Sequence, residues 1–346
     1  MNTMTRKLAT IREIEEIKPI PEADKICAYR VDDWWVVDTI NKYQVNDLVI
    51  YCEVDSWVPH ELAPFLSKGK EPREYNGVKG ERLKTVKLRG QISQGLLLPL
   101  STWGPKNRPW TIDEEGFDVG TELTEYLGIQ KWEPPIPAQL QGMMKGNFPH
   151  FIPRTDQLRV QNLRKEYEYY QPFTYEVTEK LEGTSMTCYI SDGEFNVCSR
   201  NVNLKENEGN TYWDVARNYN IEEKLREFGY DNIAIQSEIL GPAIQGNIYK
   251  LNEHQFFVFD IYDIKKGRYF TPEERQEFCK KLEFRHAPFE GTIELKNLTI
   301  ENIISIADGF SQLNNKVLRE GIVLKSLCGT HHFKSVSNQY LLKTKL

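Results

Sequence analysis

The chain has 346 residues, enough for about two domains with separate cores. Hydrophobic residues make up 40% and aromatic residues 12%, as in a folded globular protein, and no apolar run approaches the roughly 18 residues that span a bilayer. A formal net charge of −6 excludes a uniformly basic coat but leaves room for a local basic surface.

The N-terminal segment lacks the apolar core of a signal peptide. The six cysteines (Cys27, Cys52, Cys188, Cys198, Cys279, Cys328) are scattered, without C-x-x-C pairs. The expectation is a reduced, cytoplasmic protein without a structural zinc site. A hairpin at Asp192-Gly193 would bring Cys188 near Cys198, and both are expected to remain core thiols.

Residues 1–127 read as mostly β. Lys25–Val31, Trp34–Asp38, Leu48–Val54, Leu83–Leu88 and Leu96–Pro99 are short segments parted by turn residues, which fits a small barrel of the OB type. Trp34, Trp35, Tyr43, Tyr51 and Trp57 are expected mostly to fill that barrel. Lys68 to Arg89 carries a net charge of +5, and the phrase T-V-K-L-R-G places Lys87 and Arg89 on one face of a strand. Together with Lys84 they are the candidate nucleic-acid contacts.

Residues 128–153, with W-E-P-P-I-P, are proline-rich and aperiodic, so they read as a linker. Residues 154–346 form a second domain, entered through a helical lead-in carrying Asp156, Arg159, Gln161 and Asn162. Strands are predicted at 174–180, 185–190, 195–200, 233–240, 256–263, 321–326 and 339–345, and helices at 211–227, 272–282 and 299–308. The helix at 272 has a capping box, Thr271 with Glu274, and Pro272 at its first position. Strands without regular βαβ alternation indicate α+β architecture with antiparallel sheets.

Six elements of this domain carry chemistry. Lys180, in T-E-K-L-E-G, stands at the mouth of a loop with Glu182 and Gly183, a setting for a lysine nucleophile approached by a ligand. Ser199-Arg200-Asn201 follows at a strand end, and Glu238 ends another strand before Gly241-Pro242. F-F-V-F-D alternates Phe257 and Phe259 on one face with Phe256, Val258 and Asp260 on the other. Glu320 and Lys325 bracket E-G-I-V-L-K. Lys343 and Lys345, two apart on a terminal strand, would point the same way and favour an anion between them.

In this order and spacing the six elements resemble the covalent nucleotidyltransferase superfamily, which includes DNA ligases, RNA ligases and capping enzymes. The likeness covers roughly Asp156 to the C-terminus. Its closest branch is the ATP-dependent RNA ligases with an N-terminal OB-type domain, which the Thr85–Leu96 phrase and P-I-P-E-A-D at Pro19–Asp24 also resemble. A DNA ligase or capping-type enzyme is the alternative within the class. It is disfavoured because the chain ends at Leu346, without the C-terminal OB domain expected there. An inactive nucleic-acid-binding protein is the alternative outside the class.

The resemblance implies an OB-type barrel joined to an ATP-grasp-like DNA/RNA ligase domain, acting as a monomer on RNA with 3′-OH and 5′-phosphate ends, foremost a nicked duplex, in RNA repair. ATP and Mg²⁺ or Mn²⁺ are the implied cofactors. Lys180 becomes the AMP acceptor, aided by Lys343 and Lys345. Glu179, Arg200, Glu238, Phe259 and Lys325 complete the nucleotide site, with Phe259 stacked on adenine. Glu182, Glu238 and Glu320 hold the metal through water, with Glu182 standing where the family more often has aspartate. Arg200 faces ribose or the incoming 5′-phosphate.

Overall fold

Short alternating segments and frequent turns give the first part of the chain its all-β character. The structure is a computed structural model that describes residues 6–102, 118–134 and 138–344, and it divides into two compact units, Met1–Pro134 and Pro135–Lys343. In the first unit, β1 (Ala9–Glu13), β5 (Leu48–Cys52) and β11 (Leu96–Pro99) form one sheet in the order β1-β5-β11. A second joins β2 (Glu16–Pro19), β3 (Ile26–Val31) and β4 (Trp34–Thr39). A third has the order β12-β6-β8-β7, from β6 (Ser56–Pro59), β7 (Arg73–Tyr75), β8 (Val78–Arg82) and β12 (Gln130–Lys131). Trp34, Tyr43, Tyr51 and Trp57 are buried as expected, whereas Trp35 is half-buried beside the Lys18 ammonium, 5.8 Å from its ring centre.

The basic phrase at Thr85–Leu96 makes a small hairpin of β9 (Val86–Leu88) and β10 (Gln91–Ser93). Arg89 and Gly90 form its turn, both with positive φ, +49° and +83°. Two such residues between paired strands match the right-handed twist of a hairpin. Lys87 therefore lies on the strand while Arg89 lies in the turn, so the single basic face expected from alternation does not form. Lys84, Lys87 and Arg89 are all exposed.

The second unit holds two antiparallel-rich sheets. The larger has the order β13-β18-β17-β16-β19-β20-β21, built from β13 (Met144–Asn147), β16 (Thr184–Ser191), β17 (Glu194–Cys198), β18 (Val202–Leu204), β19 (Ile233–Leu240), β20 (Gln255–Asp263) and β21 (Arg268–Tyr269). The smaller has the order β14-β24-β23-β15-β22, from β14 (Leu158–Arg159), β15 (Thr174–Lys180), β22 (Phe289–Glu294), β23 (Gly321–Ser326) and β24 (His332–Val336). The stretch read as a linker thus supplies β12 to one unit and, after α1 (Ala138–Gly142), β13 to the other.

One face of the larger sheet packs its apolar positions, including Met186, Cys188, Ile235, Phe256 and Val258, against three helices. These are α3 (Thr211–Asn218), α4 (Ile221–Glu227) and α5 (Pro272–Lys281). The single helix expected at 211–227 breaks at Asn220, whose φ of +50° cannot continue a right-handed helix. The Thr271–Glu274 capping box is present. In the smaller sheet, Tyr175, Val177, Ile322, Leu324 and Phe333 pack against α6 (Ile300–Ala307) and the turn after Arg159. Cys188 and Cys198 sit on neighbouring strands as buried free thiols, and among the described residues no disulfide forms.

The predicted terminal strand is instead a helix, α7 (Asn338–Thr344), after a short turn α2 (Tyr167–Tyr170) much earlier in the chain. Its start is fixed by Ser337. The Ser337 hydroxyl accepts from the Tyr340 amide at 3.1 Å and donates to Asp308 at 2.6 Å, and the Ser337 amide bonds the Glu320 carbonyl at 2.8 Å. A serine cap outweighs the strand-like reading of five terminal residues.

Candidate active site

The second faces of the two sheets meet each other, and the site lies between them. On the smaller sheet, directly paired residues are Lys180 with Gly321 and Val336, Thr178 with Val323 and Lys334, and Glu176 with Lys325 and His332. Cross-strand partners share a face, so Glu176, Lys180, Lys325 and Lys334 all point away from the α6 core. On the larger sheet, Ser185 with Glu238 and Thr187 with Gln236 occupy the face opposite its helices. The Lys325–Asp260 ion pair at 2.6 Å spans from one sheet to the other.

Lys180 ends β15, and its Nζ donates to Glu320 Oε2 at 2.6 Å. Two glycines permit this approach of strands. A Cβ on Gly321 would sit 2.2 Å from the Ser335 carbonyl oxygen, and one on Gly183 would sit 2.2 Å from that of Ile239. The glycine after Glu182 is thus required by the backbone of β19 rather than by ligand access. Glu182 is held by its amide, which donates to the Tyr249 hydroxyl at 2.8 Å.

Three carboxylates crowd this lysine. Burial pushes the Glu238 carboxyl up to about 8; Lys180 opposes that rise and Glu320 adds to it. Burial also raises the Glu182 carboxyl, opposed by the Tyr340 hydroxyl and reinforced by Glu320. Acids crowded in this way want a cation. Among the described residues no three of them form a direct metal cluster, so Glu182, Glu238 and Glu320 suit a divalent ion that keeps its own water. Glu179 lies on the opposite face of β15, where its carboxylate accepts from the Gln312 amide at 2.9 Å.

Phe259 sits at a β-bulge between β19 and β20, because Ser237 pairs with Val258 and Gln236 with Asp260. The extra residue reverses the alternation after Val258. Phe257 keeps the expected face, while Asp260 moves to the site face with Glu238, contrary to simple alternation. Phe259 itself packs beside Leu181, Leu240, Tyr249 and Phe257.

Beneath Phe259 lies a buried charge network. The Lys325 ammonium bonds Asp260 and the Phe259 carbonyl, and burial lowers its pKa to about 8 despite Asp260. Lys325 therefore braces the bulge that carries Phe259, instead of offering its charge to a ligand. Arg275, on α5, bonds Glu176 and lies 3.7 Å from Asp260. Its Nε donates to His286 Nε2 at 2.8 Å, and His286 Nδ1 donates to the Ala287 carbonyl at 2.6 Å.

Burial, with help from Arg275, depresses His286 from 6.5 to about 4. The unfolded chain binds this proton near pH 6.5 and the folded chain only near 4, so the contribution to stability is complete above 6.5. It is lost as pH falls from 6.5 to 4, by at most about 3 kcal/mol. Thermal unfolding between pH 7.5 and 4.5 should therefore show a steeper acid loss in the native chain than in His286→Gln. Equal slopes would refute the neutral-histidine assignment.

Arg200 follows β17 and pairs through Nη2 with Asp156 Oδ1 at 2.7 Å, both side chains about two-fifths exposed. Lys343 is exposed on α7, and Lys345 lies outside the described residues. The paired terminal lysines expected on one strand face are thus not found as such.

The chain matches an RNA ligase family model over residues 173–344 and an OB-fold domain model over residues 8–100. No curated protein matches it. Among solved structures it is similar to a Naegleria gruberi RNA ligase mutant with AMP and Mn, at 44% identity and a TM-score of 0.88, covering 98% of this chain and 99% of that one. The same enzyme with PPi matches at 44% identity and 0.88, over 99% of each chain. A mutant of it with ATP and Mn matches at 43% and 0.88, over 98% and 99%.

The chain belongs to the RNA ligase family.

In the ligase domain, sequence reasoning overlooked two cations. Lys334 lies on the same sheet face as Lys180, and Arg159 is its direct neighbour across the β14–β24 pair. Two cations side by side on the cleft face form an anion site of the kind assigned from sequence to Lys343 and Lys345. The signal available was F-K-S-V-S, whose alternation is that of a strand, but β24 was not among the predicted strands.

Proposed function

We propose that this protein is an ATP-dependent RNA ligase that joins 3′-OH and 5′-phosphate ends through lysyl-AMP and RNA-adenylate intermediates. The observation that carries this reading is Lys180 paired with Glu320, facing Glu238, at a cleft whose other wall holds Phe259. In the first step Lys180 Nζ attacks the α-phosphorus of ATP, a P–N bond forms, and pyrophosphate leaves. In the second, an oxygen of the RNA 5′-phosphate attacks that phosphorus, the P–N bond breaks, and Nζ regains a proton. In the third, the 3′-OH attacks the 5′-phosphate and AMP departs.

An ammonium bonded to Glu320 is not nucleophilic, so Glu320 both parks Lys180 and stands where it accepts the proton. A divalent cation, Mg²⁺ or Mn²⁺, held through water by Glu182, Glu238 and Glu320, supplies charge neutralisation at the α-phosphate. Lys334 and Arg159 bind the phosphates by charge, with the arginine fork providing orientation. Phe259 presents a ring for adenine, braced by Lys325. The free buried thiols suit a reducing, intracellular setting.

Discrimination between RNA and DNA tests the substrate. On a nicked duplex whose 3′-OH strand ends in ribose or in deoxyribose, sealing should be at least about tenfold faster with ribose, because lost contacts to the 2′-OH weaken positioning. Equal rates would favour a DNA ligase.

A further inference from the structure

A pocket lies beside the lysine site, on the larger sheet, lined by Arg154, Thr155, Asp156, Ser185, Thr187 and Arg200 among others. Ser185 and Thr187 are alternate residues of β16, so both hydroxyls face it, with Ser185 directly across from Glu238. The segment carrying Arg154 to Asp156 is tied to the sheet by Gln236, whose Nε2 donates to the Pro153 carbonyl at 2.8 Å. The pocket thus brings two guanidinium groups and three hydroxyls together within a few residues of Glu238. Its charge is offset within the pocket by Asp156, which holds Arg200 at 2.7 Å.

We propose that this pocket is the subsite for the 5′-phosphate of the RNA, and that Asp156 occupies Arg200 as a placeholder which the phosphate displaces. The inference rests on the ligase reading above. A phosphate monoester matches the donors present, because hydroxyls and arginine forks each satisfy its oxygens. The placement suits the reaction. Successive same-side positions on a strand are about 7 Å apart, so a phosphate beside Ser185 and Thr187 neighbours one bound at Lys180. An exposed ion pair is weak and readily exchanged, whereas a dianion meeting a fixed carboxylate is repelled. Asp156 therefore tunes affinity and favours ligands able to compete for Arg200. Free pyrophosphate or the ATP phosphates offer the same chemistry, and kinetics separate these sources.

The full-length enzyme is first converted to lysyl-AMP and freed of ATP. Single-turnover transfer of AMP to a nicked RNA duplex bearing a 5′-phosphate is then followed against duplex concentration. Asp156→Asn should lower the half-saturating concentration about three- to fivefold, and Thr187→Val and Arg154→Gln should raise it. Each variant should affect this transfer far more than lysyl-AMP formation from ATP or its reversal by inorganic pyrophosphate. Unchanged or weakened RNA dependence in Asp156→Asn would overturn the placeholder. A shift confined to the ATP and pyrophosphate dependences would assign the pocket to nucleotide phosphates and overturn the RNA subsite. Failure of the native chain to form lysyl-AMP would instead refute the ligase reading.

Discussion

Lys180→Met abolishes transfer of AMP from ATP to the protein, measured with ATP labelled at the α-phosphate and denaturing separation of the labelled chain. The loss is at least about a thousandfold, since no other group can form the P–N bond in its place. Lys180 ends β15 with its amine against Glu320 at 2.6 Å, and methionine fills the same space without a nucleophile. Glu320 then loses its partner, but at about one-fifth exposure it retains access to water, so the fold should survive. The variant should still seal a nicked RNA that is already adenylylated, because the later bond formation does not need the lysine amine as nucleophile. Retained labelling would remove Lys180 from its role. Lost sealing of the adenylylated nick would indicate a broader structural defect.

Lys334→Ala slows lysyl-AMP formation about 100- to 1,000-fold, the usual cost of deleting one preorganised donor to developing phosphate charge. Lys343→Ala changes it by less than about threefold. The contrast follows from where the two side chains lie. Lys334 is two positions along β24 from Val336, the partner of Gly321 and so of Lys180, and it has Arg159 beside it. Lys343 projects from α7 into solvent. Rapid-quench measurement of lysyl-AMP at saturating ATP gives both rates. A large loss in Lys343→Ala with a normal Lys334→Ala would restore the assignment made from the sequence.

Much of the catalytic centre was legible because its chemistry is local. T-E-K-L-E-G names a lysine, an acid and a glycine within four residues, and Thr174–Lys180 folds as the strand that alternation predicts. Glu238 and Glu320 stand at the ends of predicted strands, and the structure brings both to Lys180. Thr271 and Glu274 announced α5 by a contact three residues apart. Errors arose where a non-local effect overrides the local pattern. The bulge at Phe259 turns Asp260 to the site face, and only pairing with β19 creates it. The helix at Asn338–Thr344 depends on Ser337 being seized by Asp308 and by the Glu320 carbonyl. Short strands such as β22 and β24 carry too few residues for a periodic signal.

By itself the sequence determined the reaction class: the identity and order of Lys180, Arg200, Glu238, Phe259 and Glu320 are covalent facts that folding cannot alter. Only the tertiary structure decided which cations attend them. It places Lys334 and Arg159 on the cleft face, commits Lys325 to Asp260 beneath Phe259, and leaves Lys343 on an exposed helix. The physical reason is that a charge acts through distance and burial. Sheet register, set by contacts between residues far apart in the chain, fixes both.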